Sequence, residues 1–448
     1  MISRLLLLGA TGDLAGRFLL PALAWLRAGG ELPDDLEIVG GGAQDWDDAT
    51  FREHVAARWD DAAGNLPAGA RAELLPRLRY RHVDAADPAT VAAAVGAFAG
   101  AGPVAVYLAL PPALFPPTLT ALGAARLPPG SRIAVEKPFG ADLAGAAALN
   151  AQLAAVSGGD ESAVTRVDHF LGMPTVARLP DLRTPGSPLA PLWNGRSLAR
   201  VDVVWEEVLG LEGRADFYDA TGAVRDVLQN HLVQALVLLA MELPVDGTEA
   251  ALHEAKLDLL RALRPASTDG VAACTRRARY TAGTLVGPPG AGGRPVPDYA
   301  AEDGVDPARG TETHAEVAFA VDTPRWTGTT FVLRTGKALG ATRKGVALHF
   351  TTAAPDVDPQ VAERTATDQL WVPLEAASPG GQQAPGELTA YSRVLTDVLT
   401  GRSGTSVSAA EAEQAWRVID PVLSAWAAGA VPLQEYPAGS AGPPLLAG

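Results

Sequence analysis

The sequence predicts an α/β fold in which a parallel, doubly wound sheet is followed by an α+β domain. Short apolar runs alternate with helical patterns through the first 140 residues, as in chains built from βαβ units. After Asp168 the strand-like runs become longer and lie farther apart, and one strongly periodic helix lies among them. We therefore expect two domains, at 1–168 and 169–448.

The individual elements follow from the same apolar runs. In the first domain we predict a helix at 19–27 and strands at 5–8, 36–41, 104–110 and 133–135. In the second domain we predict a helix at 223–241 and strands at 198–208, 315–321 and 330–334. Gly/Pro-rich surface loops are expected at 285–310 and 376–387.

Composition and charge exclude several classes of protein. The 448 residues carry a formal net charge of −15 and no cluster of Lys and Arg interrupts this acidity, so we expect no nucleic-acid partner. The single cysteine, Cys274, allows neither an intrachain disulfide nor a thiol-rich metal site, and we predict no bound metal. The apolar run at 5–8 is too short for a signal peptide, and no run reaches the roughly 18 residues of a membrane helix. We expect a cytoplasmic protein without a membrane partner.

A glycine-rich loop, GATGDLA at 9–15, follows the first predicted strand and precedes a helix. Its glycines permit a tight turn, and the N–H groups of a helix N-terminus can approach a pyrophosphate. We predict a dinucleotide site here, with a purely structural turn as the alternative. The predicted coenzyme-binding residues are Gly9, Thr11, Gly12, Asp13, Leu14 and Lys137.

The end of the second predicted strand bears on the choice between NAD and NADP. An NADP site usually has an Arg there for the 2′-phosphate, whereas an acid suits the free ribose hydroxyl of NAD. No Arg occurs between Arg27 and Arg52, and Asp45 is available. The segment favours NAD.

Lysine is rare in this chain and occurs at positions 137, 256, 337 and 344. Lys137 follows the strand at 133–135, at the carboxyl end where open α/β sheets bind ligands, and its ammonium can donate to a sugar hydroxyl. An ion pair between Glu136 and a neighbouring base is the alternative. Pro138 is a candidate for a cis peptide bond. Lys337 also follows a predicted strand, but by itself it is typical of a solvated loop.

His231 lies within the apolar stripe of the predicted helix at 223–241. A lone His on such a face is commonly a core residue. With a carboxylate partner, however, it would be a suitable general base at neutral pH. Asp168 is the candidate partner, and Asp226 is a second acid on the same helix.

Together these segments resemble the glucose-6-phosphate 1-dehydrogenase family, and they occur in that family's order. The most specific are RVDHFLG at 166–172 and RDVLQNHLVQ at 225–234. The others are GATGDLA, YLALPP, EKPFG, PLWNGRSLARV, RTGKAL, EAEQAWRVIDPVL and GSAGP. The resemblance covers most of the chain. It implies a Rossmann-type dinucleotide-binding domain, then an α+β domain with a large, mostly antiparallel sheet, assembled as a homodimer or homotetramer.

The resemblance also implies an activity: hydride transfer from C1 of glucose 6-phosphate to NAD or NADP, giving 6-phosphogluconolactone, a reaction of the pentose phosphate pathway. His231 would take the proton of the C1 hydroxyl, and Asp168 would orient and stabilise the imidazolium. The implied substrate-binding residues are Lys137, Glu207 and Asp226 at the sugar hydroxyls, and His169 and Lys337 near the phosphate.

The chain departs from the family's pattern mainly around the phosphate. Phe170 and Met173 stand where the family has Tyr and Lys, and each lost hydrogen bond to a charged group would cost about 1.5 to 3 kcal/mol. Thr342 falls where the family often has a base, although Arg343 and Lys344 follow it. The Arg of NADP sites is replaced near Ala43, and the segment at about 353–387 is shorter.

Two alternatives therefore remain open. One is the same C1 oxidation of an unphosphorylated or different sugar, and the other is a catalytically silent, dinucleotide-binding regulator.

Overall fold

The computed structural model describes residues 1–61, 66–285, 292–351, 369–375 and 386–446. Contacts within the chain divide it into two compact units. The first contains residues 1–177 and the described residues 386–413, and the second contains the remaining described residues. The sequence-based boundary after residue 168 therefore lies nine residues before the end of the first unit's main segment. It also assigned 386–413 to the second domain.

The first unit is built on a six-stranded parallel sheet with strand order β3-β2-β1-β4-β5-β6. The strands are β1 Arg4–Leu8, β2 Glu37–Gly42, β3 Leu78–His82, β4 Ala105–Leu108, β5 Arg132–Glu136 and β6 Val164–Val167. The strand order reverses direction between β1 and β4, which is the point where doubly wound sheets bind ligands. The predicted doubly wound fold is confirmed.

Helices connect these strands. They are Leu20–Ala28, Asp48–Asp61, Ala68–Leu74, Pro88–Val95, Phe115–Ala125, Leu143–Ser157 and Pro174–Ala177, and the first of them continues a π-helical turn at Ala15–Leu19. Asp87 and Asp142 cap two of the helices, since the side chain of each accepts a backbone N–H from the first turn.

The Gly386–Thr400 helix belongs to the first unit because of what it buries. Tyr391, Val394, Leu395, Val398 and Leu399 pack into the same apolar cluster as residues of β1 and β4. The Leu399 carbonyl accepts hydrogen bonds from Ile2 N at 2.7 Å and from Arg132 Nη1 at 3.0 Å. Its apolar stripe could be read from the sequence, but the core that the stripe joins could not.

The second unit contains a large mixed sheet with strand order β15-β14-β7-β13-β12-β9-β16, in which β8 also pairs with β12. The strands are β7 Leu198–Glu206, β8 Leu263–Pro265, β9 Thr275–Thr281, β12 His314–Val321, β13 Thr330–Gly336, β14 Arg343–Phe350, β15 Gln369–Pro373 and β16 Leu433–Pro437. A separate antiparallel pair is formed by β10 Gly283–Leu285 and β11 Arg294–Val296. Most pairs are antiparallel, and β7 with β13 and β9 with β16 are parallel. The predicted α+β organisation is confirmed.

The remaining helices are Ala215–Ala223, Val233–Ala240, Glu249–Ala262 and Ala409–Ala427, and a π-helical stretch at Val224–Leu232 joins the first two. No helix among the described residues is both long and apolar enough to cross a membrane. The expected shortening at about 353–387 and the loop predicted at 376–387 lie mostly outside the described residues. The loop predicted at 285–310 is described from residue 292 onward, where it contains the strand Arg294–Val296 and 3-10 turns at Tyr299–Ala301 and Pro307–Arg309.

Candidate active site

The loop after β1 has a backbone that requires glycine. Gly9 has φ of 84°, and a Cβ added there would lie 2.1 Å from the carbonyl oxygen of Ala109. The N–H groups of Gly9 and Ala10 both donate to Gly41 O, at 2.8 and 3.1 Å. The loop is thus pinned between β2 and the end of β4, and the helix that follows begins at the edge of the sheet.

A cavity of about 500 Å³ opens above this loop. Gly9, Thr11 and Gly12 line it, together with residues that follow β2, β3 and β4. Its place at the carboxyl ends of the strands, and the bare glycine backbone along one wall, fit the pyrophosphate and adenosine of a dinucleotide.

The other predicted coenzyme residues are not on the wall of this cavity. Asp13 is not among the lining residues, and its carboxylate forms ion pairs with Arg17 and Arg58 at 3.1 and 3.2 Å. Leu14 and Lys137 are not among the lining residues either.

The wall that follows β2 carries no cation. Ala43 and Gln44 line it, whereas Asp45 does not, so the acid expected near the ribose is replaced by an amide. Gln44 is held in place, because Thr11 Oγ1 donates to its Oε1 at 2.9 Å and Tyr80 Oη donates to its backbone carbonyl at 3.1 Å. Sequence reasoning missed Gln44, although it directly follows Ala43.

Lys137 and Asp168 are brought together by strand register. Glu136 at the end of β5 pairs with Val167 at the end of β6. Lys137 follows β5 and Asp168 follows β6, so the two residues leave the sheet side by side. Asp168 is completely buried, and its Oδ1 accepts the Phe170 N–H at 3.2 Å at the start of a 3-10 turn, His169–Gly172. The Lys137–Pro138 peptide bond is cis, as anticipated.

Among the described residues, Glu136 forms none of the ion pairs that were the alternative for this segment. Its side chain is buried, and its Oε1 accepts a hydrogen bond from Tyr107 Oη at 2.5 Å. Burial raises the pKa of the Glu136 carboxyl to about 7, although the Tyr107 hydroxyl and the charge of Lys137 oppose the shift. Sequence reasoning did not connect Tyr107 with Glu136, since 29 residues separate them.

His169 begins the turn after Asp168, and Tyr391 covers its ring. The two rings stack with centroids 4.9 Å apart, and Tyr391 Oη lies 3.3 Å from His169 Nδ1. Tyr391 comes from the Gly386–Thr400 helix, which the sequence-based interpretation had placed in the other domain.

In the second unit, the predicted helix at 223–241 begins after a break at Gly222. This residue has φ of 70°, and a Cβ there would lie 2.6 Å from Glu312 Oε1. The buried Glu312 caps the new helix, because its Oε1 accepts the Val224 N–H at 3.0 Å and its backbone carbonyl accepts the Ala223 N–H at 3.2 Å. Burial raises the pKa of the Glu312 carboxyl. No sequence signal pointed to this acid.

The π-helical winding of Val224–Leu232 explains how Asp226 and His231 come to share a face. In an α-helix, residues five apart are rotated by about 140° from each other. In a π-helix, where residue i bonds to residue i+5, they lie one turn apart on the same side. His231 is 6% exposed, and Asp226 is partly exposed. Such π-helical turns occur frequently at functional sites.

Glu207 and Lys337 are also placed together by register. Glu206 on β7 pairs with Gly336 on β13, so Glu207 and Lys337 are the next residues on two parallel strands, and their charged groups lie 3.0 Å apart. A second lysine, Lys344, lies 3.1 Å from the same carboxylate. Burial opposes ionisation of Glu207, but the two lysine charges outweigh it and lower its pKa.

Comparison with known proteins decides which family has this arrangement. Residues 6–178 match the family described as glucose-6-phosphate dehydrogenase, NAD binding domain, and residues 182–379 and 382–447 match its C-terminal domain. The chain belongs to the glucose-6-phosphate dehydrogenase family.

Relatives in this family align almost end to end. Glucose-6-phosphate 1-dehydrogenase of Zymomonas mobilis is 33% identical, over 99% of this chain and 96% of its own. A glucose-6-phosphate dehydrogenase structure in complex with glucose 6-phosphate has a TM-score of 0.83 at 25% identity, covering 99% of this chain and 96% of its own. The Mycobacterium avium enzyme structure has a TM-score of 0.81 at 29% identity, with the same coverage.

Membership in this family directs attention to the positions where the chain departs from it. Phe170 and Met173 are 1% and 5% exposed, so both are packed side chains. Of the candidate bases after Lys337, Lys344 bridges Glu207 and Glu375, whereas Arg343 lies 3.6 Å from Glu206 and over the Trp371 ring. Thr342 accepts a hydrogen bond from Val208 N at 3.5 Å.

Proposed function

We propose that this protein oxidises C1 of glucose 6-phosphate, transferring hydride to a nicotinamide dinucleotide and releasing 6-phosphogluconolactone. The observation that carries the proposal is similarity across nearly the whole chain to enzymes named glucose-6-phosphate 1-dehydrogenase. Each unit supports it independently. The first has a glycine-lined cavity of dinucleotide size, and the second has the acids, the histidine and the lysines that a sugar phosphate would need.

In the proposed reaction, His231 accepts the proton of the C1 hydroxyl as the C1–H hydride departs. The bound nicotinamide supplies the electrophilic C4 that accepts this hydride. Asp168 orients the imidazole and stabilises the imidazolium, since a buried carboxylate favours the charged form of a partner. Lys137, Glu207 and Asp226 hold sugar hydroxyls and fix C1 for transfer.

His169 and Lys337 bind the phosphate in this proposal, and Lys344 strengthens that end of the site. Lys337 and Lys344 both lie within 3.1 Å of Glu207, and Lys344 also lies 2.8 Å from Glu375, so the two ammonium charges face two carboxylates.

The decisive experiment measures reduction of NAD and NADP with glucose 6-phosphate and with glucose. We expect kcat/KM for glucose 6-phosphate to exceed that for glucose by at least about a hundredfold, because the phosphate contributes several charge-assisted hydrogen bonds. Equal or higher activity with glucose would overturn the proposed substrate. The absence of activity with either would support the silent regulator instead.

The role of His231 has its own test. His231→Asn should lower kcat by about a hundredfold or more and leave the affinity for reduced coenzyme within twofold. His253→Asn, on the Glu249–Ala262 helix, is the matched control and should retain full activity. A fully active His231→Asn variant would remove His231 from the mechanism.

For the coenzyme we propose a preference for NAD over NADP. The supporting feature is the absence of Arg and Lys from the lining of the cavity, where Ala43 and Gln44 follow β2. Ala43→Arg should lower the KM for NADP about tenfold and leave the KM for NAD nearly unchanged. Ala49→Arg, which adds the same charge on the Asp48–Asp61 helix, is the control. A native KM for NADP below that for NAD would refute this preference.

We also propose that the protein assembles as a homodimer or homotetramer, as the family resemblance implies. Light scattering after size-exclusion chromatography tests this directly. A monomer at the concentration of the activity assay would contradict it.

A further inference from the structure

Three aromatic rings are stacked in the first unit, and the central ring is that of Tyr391. Its ring lies 5.3 Å from Phe18 on one side and 4.9 Å from His169 on the other, with interplanar angles of 29° and 18°. Tyr391 is only 4% exposed. The plane of the His169 imidazole is therefore fixed by a ring that is itself held on both faces.

The hydroxyl of Tyr391 reaches the same imidazole. Tyr391 Oη lies 3.3 Å from His169 Nδ1. Among the described residues, this ring nitrogen is the one hydrogen-bond partner of the Tyr391 hydroxyl. Burial, together with the negative charges of Glu136, Glu387 and Asp168, raises the pKa of Tyr391 well above its usual value, so the phenol remains protonated.

The direction of this hydrogen bond follows from the need to satisfy a buried donor. A buried hydroxyl proton requires an acceptor, and an imidazole nitrogen accepts only when it carries no proton. Donation from Tyr391 therefore leaves Nδ1 of His169 unprotonated. The neutral imidazole then has its proton on Nε2.

The helix that carries Tyr391 also holds the backbone of the turn. Arg393 donates to the carbonyl of Gly172 at 3.3 Å, at the end of His169–Gly172. A Cβ added at Gly172 would lie 2.7 Å from the carbonyl oxygen of Ala390, so the helix and the turn touch backbone to backbone. Residues 390, 391 and 393 thus hold both the backbone of the turn and its histidine ring.

We propose that Tyr391 is a positioning residue that sets the ring orientation and the tautomer of His169, so that His169 presents its Nε2–H as a donor to the substrate's phosphate. The inference rests on the proposed function, since it takes His169 as a phosphate ligand. The residue next to His169 is Phe170, which has no hydroxyl, so of these two side chains only the histidine can donate to the phosphate.

Tyr391→Phe removes the hydroxyl and retains the stacked ring. We expect the KM for glucose 6-phosphate to rise about three- to tenfold, as for the loss of one hydrogen bond, with kcat within twofold of the parent value. The kcat/KM for free glucose should not change. Tyr280→Phe is the matched control, because it deletes another buried hydroxyl, which donates to Glu302 Oε1 at 2.8 Å. This variant should leave the KM for glucose 6-phosphate and kcat unchanged.

A double-mutant cycle separates positioning from general destabilisation. If Tyr391 acts through His169, then Tyr391→Phe should raise the KM by less than twofold when His169→Asn is already present. Additive effects on the KM, or an unchanged KM in the single variant, would overturn the proposal.

A readout that needs no turnover tests the tautomer itself. Nitrogen NMR of the imidazoles, with His169 assigned by its loss in His169→Asn, should show an unprotonated Nδ1 and a protonated Nε2 in the parent protein. In Tyr391→Phe the two tautomers should be mixed. A protonated Nδ1 in the neutral parent protein would refute the inference even if glucose 6-phosphate is the substrate. Conversely, the predicted tautomer in a protein inactive on glucose 6-phosphate would locate the failure in the proposed function.

Discussion

The buried Glu136 predicts an unusual dependence of stability on pH. Its side chain is 7% exposed and hydrogen-bonded by Tyr107, and burial raises the pKa of its carboxyl from 4.5 to about 7 in the folded protein. Glu136→Gln removes the titration and keeps both the size of the side chain and an acceptor for the Tyr107 hydroxyl. The comparison of this variant with the parent protein therefore isolates one carboxyl.

The sign and size of the effect follow from linkage. Below pH 4.5 the carboxyl is protonated in both states and costs nothing, whereas between pH 4.5 and 7 only the unfolded chain ionises. Each pH unit in this window favours unfolding by about 1.4 kcal/mol. The contribution is thus present at low pH and lost as the pH rises through 7, for a total of about 3 kcal/mol.

Urea unfolding between pH 4.5 and 8 measures this contribution. The stability of Glu136→Gln relative to the parent should increase by about 3 kcal/mol from pH 4.5 to 7 and then level off. Glu53→Gln, an exposed glutamate of the same unit, should run parallel to the parent throughout. A difference between Glu136→Gln and the parent that is constant across this range would show that Glu136 titrates normally and would refute the reasoning.

Three further outcomes are expected. Burial and the charges of nearby arginines lower the pKa of His314 to about 3. The stability that the neutral imidazole contributes above pH 6.5 is therefore lost as the pH falls. In the same urea assay, the free energy of unfolding of His314→Gln should rise by about 2 kcal/mol relative to the parent between pH 6.5 and 5. Gly9→Ala should abolish coenzyme binding in a fluorescence titration. Gly30 also has a positive φ, of 68°, but an added Cβ there would have no atom within 4 Å, so Gly30→Ala should cost only about 1 to 2 kcal/mol of stability. Burial raises the pKa of Cys274, so a thiol reagent should react with it slowly in the native protein and with one equivalent after unfolding.

The parts of the fold that the sequence predicted share a clear apolar pattern. β1, β2 and β5 lie where continuous apolar runs predicted them. β3 and β6 were not predicted, because charged residues interrupt them. Arg166 in β6 is 1% exposed, and its guanidinium donates to Glu161 Oε1 at 2.6 Å and to Asn150 Oδ1 at 2.8 Å. The apolar pattern of a strand does not show that a charged residue within it will be buried and paired.

The helix at 223–241 shows a second kind of limit. Its apolar spacing predicted an element of the correct length and type, yet spacing at the α-helical period carries no information about π-helical winding. The helix begins with the break at Gly222 and the cap from Glu312, and 90 residues separate those two positions. The sequence therefore identified Asp226 and His231 as candidate site residues, but it could not show that the winding of the helix places them on the same face.

Strand register explains why the candidate site could be identified residue by residue but not assembled. Four site residues each follow a strand: Lys137, Asp168, Glu207 and Lys337. In the first unit, Lys137 and Asp168 are adjacent because Glu136 pairs with Val167 on the neighbouring parallel strand. In the second unit, Glu207 and Lys337 are adjacent because Glu206 pairs with Gly336. A slip of one residue would turn every side chain of a strand to the opposite face and expose its apolar set. The consecutive acids illustrate the consequence: Glu206 pairs with Arg334 at 2.8 Å, while Glu207 pairs with Lys337 at 3.0 Å. Burial of the apolar strand residues thus fixes the register, and the register fixes which charges meet, so core substitutions that preserve volume should preserve the polar site as well.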